Sequence, residues 1–420
     1  MDDLKDLILM MKDHIVMVIN FNIGKYEVVN EKLLPFVIKG RLRRVPDYCE
    51  IKNKYDDTQR QIAINNNRDI IQSWLASRVL PLSRDNAKKV YQLFKLEQLQ
   101  DDVSKSKISI TCRAVSLQDN YWVKLEDDPS TWADIDLRKN KLNEIVAQVA
   151  LHGTSLTLQG GLATPELTGQ GAYAKAWKRE GNDLWLYKRG SKDATESRIE
   201  VMVSNILDKC NVRHVHYEIG ISHDNIEGDI TCCKCKCMTT DNTSILPALD
   251  YMTYCLSHGL NFYEECKRID TDLFYKMCIV DYLIVNRDRH GMNWGFYFDC
   301  DKNEIISMHP IYDHNNAFDP KYMFDEDMEY QVFDTVTVKQ AAIEAMCHVD
   351  FYFKEDITRE DFITDRQYEL FKHRATQLGI KTKHTSRHYI DLIPEATRSL
   401  YGTNEDEIIA NFLATHPELR

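Results

Sequence analysis

The sequence predicts an α+β chain in which a smaller β-rich lobe is followed by a larger α-helical lobe, with an accessory region ahead of both. Three observations carry this. From about residue 151 the short runs "TSLTLQG", "AYAKAW" and "DLWLYKR" read as strands separated by turn residues. In "ESRIEVMVSNILDKC" the residues Ile199, Met202, Val203, Ile206 and Leu207 recur at i, i+3, i+4, i+7 and i+8, the period of an amphipathic helix. Beyond the cysteine-rich run at 232–237 the pattern is mostly helical to Arg420, broken by one hairpin-like unit near 294–312.

Taken in order, residues 1–65 form an N-terminal mixed region with strand-like runs in "HIVMVINF" and "LLPFVIKG". Residues 66–150 form a helical accessory region, periodic in "DIIQSWLASRVL" and "NAKKVYQLFKL". It closes on "SLQDNYWVKLEDDPSTW", where Trp122 and Trp132 are expected as anchors in a core or domain interface. The β-rich lobe follows over 151–245 and the helical lobe over 246–420. No internal repeat or low-complexity tract interrupts this plan.

Composition is that of folded protein, with 420 residues, 43% hydrophobic and 28% charged. Lys+Arg 53 against Asp+Glu 65 leaves a net charge of −12, a field that repels nucleic acid and anionic membrane, so no direct nucleic-acid binding and no membrane association are expected. The basic run "KGRLRR", Lys39 to Arg44, reads as a solvated turn. The amino terminus, "MDDLKDLILMMKDHIVMVINF", places acids where a signal peptide needs bases, and Lys12-Asp13 interrupts its apolar run. No 18-residue apolar stretch occurs, so a cytoplasmic location is expected. Twelve scattered cysteines fit reduced thiols. "CCKCKC" has no second cysteine pair to complete a zinc site, and on a strand Cys233, Cys235 and Cys237 would share a buried face opposite Lys234 and Lys236.

The chemistry-bearing stretch is "NRDRHGMNWGF", Asn286 to Phe296. Before it, Leu273, Met277, Val280 and Ile284 fall at helical spacing, and "WGFYF" after it reads as a strand, so the cluster occupies a loop. The strand "IISMHPIYD" then ends at Asp313, and an antiparallel return brings Asp313 toward Asp288 and Asn293. One Asp to handle a hydroxyl proton, with an Asn and a second Asp to hold Mg²⁺ on nucleotide phosphates, is the set that phosphoryl transfer needs. Upstream, "GQGAYAK" offers Gly169, Gly171 and Ala172 for backbone approach to phosphates. Lys188 lies on a strand-like run and Glu200 on the periodic helix twelve residues later, a pairing that presents an ammonium to the α- and β-phosphates of ATP. Any one of these has an ordinary structural reading as a turn or surface charge; their order along the chain is what joins them.

"GAYAKAW", Lys188, Glu200, "NRDRHGMNWGF" and "PIYDHN" together resemble the HipA-like bacterial serine/threonine kinases, particularly the divergent branch of Firmicutes and mobile elements. The Asp-Arg-His-x-x-Asn loop is also similar to that of phosphatidylinositol kinases. The specific resemblance spans about residues 155–320, and "WLASRVLPLSRDNAKKV" resembles the accessory region ahead of the kinase in that branch. It implies a bilobal protein-kinase-like fold, ATP and Mg²⁺ as cofactors, Asp288 as catalytic base, Asn293 and Asp313 as metal ligands, Lys188 on the ATP phosphates and Glu200 orienting Lys188. Thr168 takes the place of a serine that family members autophosphorylate. "YDHN" stands where eukaryotic kinases have Asp-Phe-Gly. The implied activity is phosphoryl transfer to Ser or Thr of a protein acceptor, with an antitoxin or regulatory protein as partner. A small-molecule or lipid kinase, and a nucleotide-binding pseudokinase scaffold, are the alternatives. His290 and His314 are read as structural hydrogen-bonding residues, and Arg287 and Arg289 as neutralising acid charge or touching phosphate.

Overall fold

The apolar run near the amino terminus is cut by Lys12-Asp13, and the cut is a hairpin turn. Leu7–Met11 (β1) and His14–Asn20 (β2) pair antiparallel on either side of it, with Lys12 left-handed at φ 50°. Lys25–Val28 (β3) and Tyr121–Leu125 (β4) complete a sheet in the order β3-β2-β1-β4. All five residues of the central β1 are buried, as in a strand covered on both faces. Trp122 and Trp132 pack with Ile8, Met10, Leu117 and Ile135, and the Trp122 indole donates to the Lys12 carbonyl at 2.7 Å. Both tryptophans are core anchors. The computed structural model describes residues 6–96, 101–153, 172–225, 228–333, 336–382, 398–399 and 401–415.

"LLPFVIKG" is not a strand. Pro35 has no N–H to give a ladder, and its carbonyl instead accepts the N–H groups of Ile38 at 2.8 Å and Lys39 at 3.1 Å, which turns the chain. The basic run begins in this turn: Lys39 lies over the Phe36 ring, its amine pushed down to about 8 by burial, while Arg43 and Arg44 are exposed. Helix α1, Lys54–Ser77, starts earlier than the periodic run because Asn53 caps it, accepting the N–H groups of Tyr55 and Asp56. Among the described residues, α2 Ala87–Leu93, α3 Asp102–Thr111, α4 Trp132–Ile135 and α5 Glu144–His152 follow before the second sheet.

Lys175–Glu180 (β5), Asp183–Lys188 (β6), Glu218–Asp224 (β7) and Gly228–Lys236 (β8) form an antiparallel sheet in the order β5-β6-β8-β7. The cysteine run is packed strand through Cys235, while Cys237 lies past the end of β8, half-buried, and packs in the Trp122 cluster rather than with Cys233 and Cys235. Cys233 and Cys235 face Val215 and Tyr217, and Cys232, on the opposite face, joins Ala176, Tyr187 and residues of α2 and α5. Helix α6, Thr195–Asp208, buries Ile199, Met202, Val203, Ile206 and Leu207, the stripe its period predicts. A third sheet, β11-β10-β9, contains the expected hairpin Gly295–Asp299 (β10) and Glu304–Met308 (β11), and adds Thr243–Pro247 (β9). Gly295 is required there: a Cβ would come within 2.2 Å of the Leu246 carbonyl oxygen. Helix α7, Ala248–Ser257, leaves directly from β9.

Contacts divide the chain into two units, one of Met1–Val201, Val215–Thr271 and Asp288–Asn315, the other of Met202–His214, Asp272–Arg287 and Asn316–Arg420. Every sheet above belongs to the first. Helix α8, Phe262–Leu283, is non-helical at Asp270, and its later part lies in the second unit with Leu273, Met277 and Val280 buried. With it are a two-stranded ribbon, Gln331–Phe333 (β12) and Val336–Thr337 (β13), then α9 Val338–Met346, α10 Asp365–Gln377 and a last helix, Glu405–Thr415. Arg374, fully buried, donates to the Tyr282 carbonyl at 2.6 Å and ties α10 to α8. Among the described residues no helix is long and apolar enough to cross a membrane.

Candidate functional site

Strand β6 ends on Lys188, which faces Lys175 of β5 and Cys233 of β8 in register. Its side chain is buried, and Nζ lies 3.0 Å from Oε2 of the fully buried Glu200 on α6. The same ammonium contacts the carboxylate of Asp313. Glu200 is shared in turn: its Oε1 accepts the backbone N–H of His314 at 2.8 Å. One cation between two acids sets the electrostatics. Burial alone would drive the Lys188 pKa down, but Asp313 and Glu200 outweigh it and hold it well above the ordinary lysine value. Burial likewise works to raise Asp313, and Lys188 with Lys175 reverses this, keeping its carboxyl below the usual range. Glu200 is raised by burial against the pull of Lys188.

Asp313 was expected at a strand end. Strand β11 stops at Met308, and the chain runs on through a His309 N–H bond to the Gly295 carbonyl at 3.1 Å and a Val215 N–H bond to the Ile311 carbonyl at 2.9 Å. Asp313 itself is left-handed at φ 63°, a conformation costing a non-glycine residue about 1–2 kcal/mol. The Lys188 ammonium on its carboxylate, and the His314 N–H held by Glu200, fix the chain on this turn.

The loop after α8 holds the other acids and amides. Asn293 is buried, donates its backbone N–H to the His290 carbonyl at 2.8 Å, and donates Nδ2 to the Asp288 carbonyl at 2.9 Å. This closes the loop on itself and presents the Asp288 carboxylate, 41% exposed, at the surface. Arg289 joins the loop to the approach of Asp313, donating from Nη1 to the carbonyls of Asn293 at 2.9 Å and Tyr312 at 2.7 Å. Arg287 instead stacks over the rings of Tyr322 and Tyr330, 4.0 and 4.5 Å from their centroids. Each arginine thus has a structural position that composition alone left open. His290 accepts the Met292 N–H through Nδ1 at 3.2 Å, and the His314 ring is buried 3.8 Å from Glu200. His290 is thus an exposed acceptor within the loop, and the His314 ring is packed beside Glu200.

A cavity of about 150 Å³ opens beside this cluster, lined by Lys175, Asn293 and Asp313 among its polar residues. Its apolar wall is Leu186, Val215, Met238 and Tyr312. With Nδ2 of Asn293 committed to Asp288, its oxygen is what the side chain can offer, and with the Asp313 carboxylate it makes a hard oxygen donor set of the kind Mg²⁺ takes. Lys175 was not anticipated from sequence. It is legible only once the β5–β6 register places it opposite Lys188, and its amine is pushed down to about 7 by burial and by the charges of Arg84 and Lys188.

Thr168, Gly169 and Gly171 lie outside the described residues, but both flanks of their segment are seen. At one flank the Ala172 carbonyl accepts the Asp85 N–H at 2.8 Å. At the other, Asn86 donates Nδ2 to the Ala150 carbonyl at 3.2 Å, and Lys89 reaches the Gly153 carbonyl. One turn of the accessory region, entering α2, therefore holds residues 153 and 172 together. Gly153 is left-handed, and a Cβ there would meet Asn86 at 2.2 Å.

No family model and no curated protein matches the chain. Among solved structures it is similar to the Helicobacter pylori proinflammatory kinase CtkA, at 16% identity and a TM-score of 0.35, over 50% of this chain and 90% of that one. It is also similar to a structure of the Shewanella oneidensis MR-1 toxin–antitoxin system HipA, HipB and operator DNA, at 10% identity and a TM-score of 0.45, over 89% of this chain and 98% of that one. These are likenesses of fold.

Proposed function

We propose that the chain is a HipA-like kinase, dependent on ATP and Mg²⁺, that transfers a phosphoryl group to Ser or Thr of a protein acceptor. The observation that carries this reading is the buried Lys188 ammonium held between Glu200 and Asp313 at the edge of a cavity that Asn293 also lines. In the proposed roles, residues 151–245 are the N-lobe and 246–420 the C-lobe. Lys188 binds α- and β-phosphates and Glu200 orients it. Gly169, Gly171 and Ala172 supply backbone N–H groups to the phosphates. Asn293 and Asp313 hold Mg²⁺, which when bound neutralises phosphate charge. Asp288, at the exposed end of the loop, orients the acceptor hydroxyl and takes its proton. An antitoxin-like or regulatory protein partner belongs to the same proposal.

The test is Asp288→Asn. Asn keeps the turn hydrogen bonds but has no basic oxygen, and loss of a general base costs ~10²–10⁴ in rate. Transfer of label from ATP to lysate proteins by the wild type, lost in the variant with ATP affinity and melting temperature unchanged, supports the assignment. A fully active variant overturns it, and a wild type that binds ATP without transfer to any acceptor makes the chain a nucleotide-binding scaffold.

A further inference from the structure

A second cavity, about 180 Å³, shares Ser116, Gln118, Ile245 and Met292 with the first, so the two are neighbours across one wall. It also touches the candidate catalytic loop through backbone: the Leu249 N–H at the start of α7 donates to the Gly291 carbonyl at 2.9 Å, three residues past Asp288. Four of its lining residues are aromatic, Phe36, Trp74, Tyr121 and Phe298; Lys39 already lies over Phe36 and Arg78 over Trp74, which leaves Tyr121 and Phe298. Its charged groups are Arg78, Asp119 and Asp250.

Two of these three are already spent. Arg78 donates Nε to the Ala114 carbonyl at 2.7 Å, Nη1 and Nη2 to the two Asp119 oxygens at 2.7 and 2.8 Å, and Nη2 again to the Tyr121 carbonyl at 3.3 Å. Little of that guanidinium is left for an anion. Asp119 also accepts the Tyr121 N–H at 3.0 Å. Asp250, in the first turn of α7, is different: among the described residues it has no hydrogen-bond or ion-pair partner, and it lies mostly out of solvent. Burial, with Asp119 nearby, pushes its carboxyl up to about 6 against the pull of Arg78. A carboxyl kept from water and given no hydrogen bond favours a cation that can reach it directly.

We infer that this cavity receives a basic side chain, Lys or Arg, of the acceptor polypeptide, with Asp250 as its counter-ion and the aromatic wall against its stem. The inference rests on the kinase reading above. Aromatic faces with a carboxylate at one end recognise an ammonium or guanidinium on an apolar stem. A volume of about 180 Å³ has room for one side chain. The shared Met292 and the Leu249–Gly291 bond put the cavity within a few residues of where Asp288 would meet the acceptor hydroxyl. Exposed Leu249 and Leu256 on α7 extend an apolar surface from the cavity along which a polypeptide can lie.

Two measurements test this separately from the kinase reading. In the first, positional-scanning Ser/Thr peptide libraries are phosphorylated with labelled ATP and Mg²⁺ by the wild type and by Asp250→Asn, which keeps side-chain shape and removes the buried charge. The expected result is a ~10-fold preference for Arg or Lys at one position, lost in Asp250→Asn while ATP hydrolysis without peptide is unchanged. Transfer without a basic preference, or with one that survives Asp250→Asn, overturns the inference. The second measures agmatine binding by calorimetry, which needs no catalysis. If the wild type transfers phosphate to no peptide, the kinase reading fails on its own. Agmatine binding abolished in Asp250→Asn then still supports a cation receptor here, and absence of binding to the wild type removes it. Unchanged melting of Asp250→Asn ensures that a lost signal is a lost contact.

Discussion

Glu200 accepts the backbone N–H of His314 at 2.8 Å, so the carboxylate that holds Lys188 also fixes the peptide following Asp313. The two oxygens separate two jobs, and substitution should separate them too. Glu200→Gln keeps an acceptor for His314 and is expected to fold, with the KM for ATP raised as Lys188 loses part of its charge partner. Glu200→Ala leaves the His314 amide unsatisfied and Lys188 with Asp313 alone in a buried setting, where breaking an ion pair costs about 3–5 kcal/mol. Melting curves with parallel transfer assays check this: equal melting temperatures for the two variants would show that the His314 bond contributes nothing.

Arg289 is expected to matter to rate more than to stability. It holds the carbonyls of Asn293 and Tyr312 together, so Arg289→Ala lets the proposed metal ligands drift relative to each other, and misplacement by about 1 Å can cost ~10²-fold. The expected outcome is a transfer rate lowered on that scale and a higher Mg²⁺ concentration for half-maximal rate. An unchanged Mg²⁺ dependence would count against the staple.

His309 predicts an acid limit. Its ring is buried, Nδ1 donates to the Pro310 carbonyl at 2.9 Å, and burial pulls its pKa down to about 4. Above about 6.5, the unperturbed value, the ring is neutral in folded and unfolded chains alike and costs nothing. As pH falls from there to about 4 the unfolded chain takes up a proton that the folded one refuses, so stability drops by about 1.4 kcal/mol per unit. Below that the folded ring protonates too and this contribution levels off. Denaturant unfolding of wild type and His309→Asn at pH 4.5 and 7 reads it as a smaller pH difference in the variant.

The turn entering α2 predicts a remote effect on nucleotide. Asn86→Ala removes the bond to Ala150 beside Gly153, and with it part of the hold on the flanks of the Gly169–Ala172 segment. ATP affinity should fall several-fold with the rate at saturating ATP little changed. A lowered saturating rate with unchanged affinity would place the effect elsewhere.

Thiol labelling should sort the cysteines by burial. Cys235 is pushed up to about 12 and Cys233 further, both by burial, while Cys49 and Cys347 are exposed. Iodoacetamide on folded protein, read by peptide mapping, is expected to modify Cys49 and Cys347 first. Early modification of Cys233 would mean that β8 is not the packed strand described.

Much of this geometry was legible because its residues sit where periodic elements end. Lys188 closes an alternating strand, Glu200 follows Ile199 on a helix whose stripe is unambiguous, and Asp288 falls between an apolar helix and an apolar strand. What was not legible depends on partners that no local pattern encodes. Arg289 works through carbonyl oxygens, which every residue has, and Lys175 through strand register, which is a long-range choice. "LLPFVIKG" misled because its apolar content suits a strand while Pro35 removes the N–H that a strand needs. Asp313 reads from sequence as a strand end, whereas β11 stops at Met308 and Asp313 lies past it with a left-handed backbone, its carboxylate on Lys188.

The shared anchoring of residues 153 and 172 has a consequence for how the chain tolerates change. Because one turn of the accessory region ties down both ends, a shift of that turn is felt at Gly153 and at Ala172 together, and Asn86 and Lys89 should tolerate substitution less well than their incomplete burial suggests.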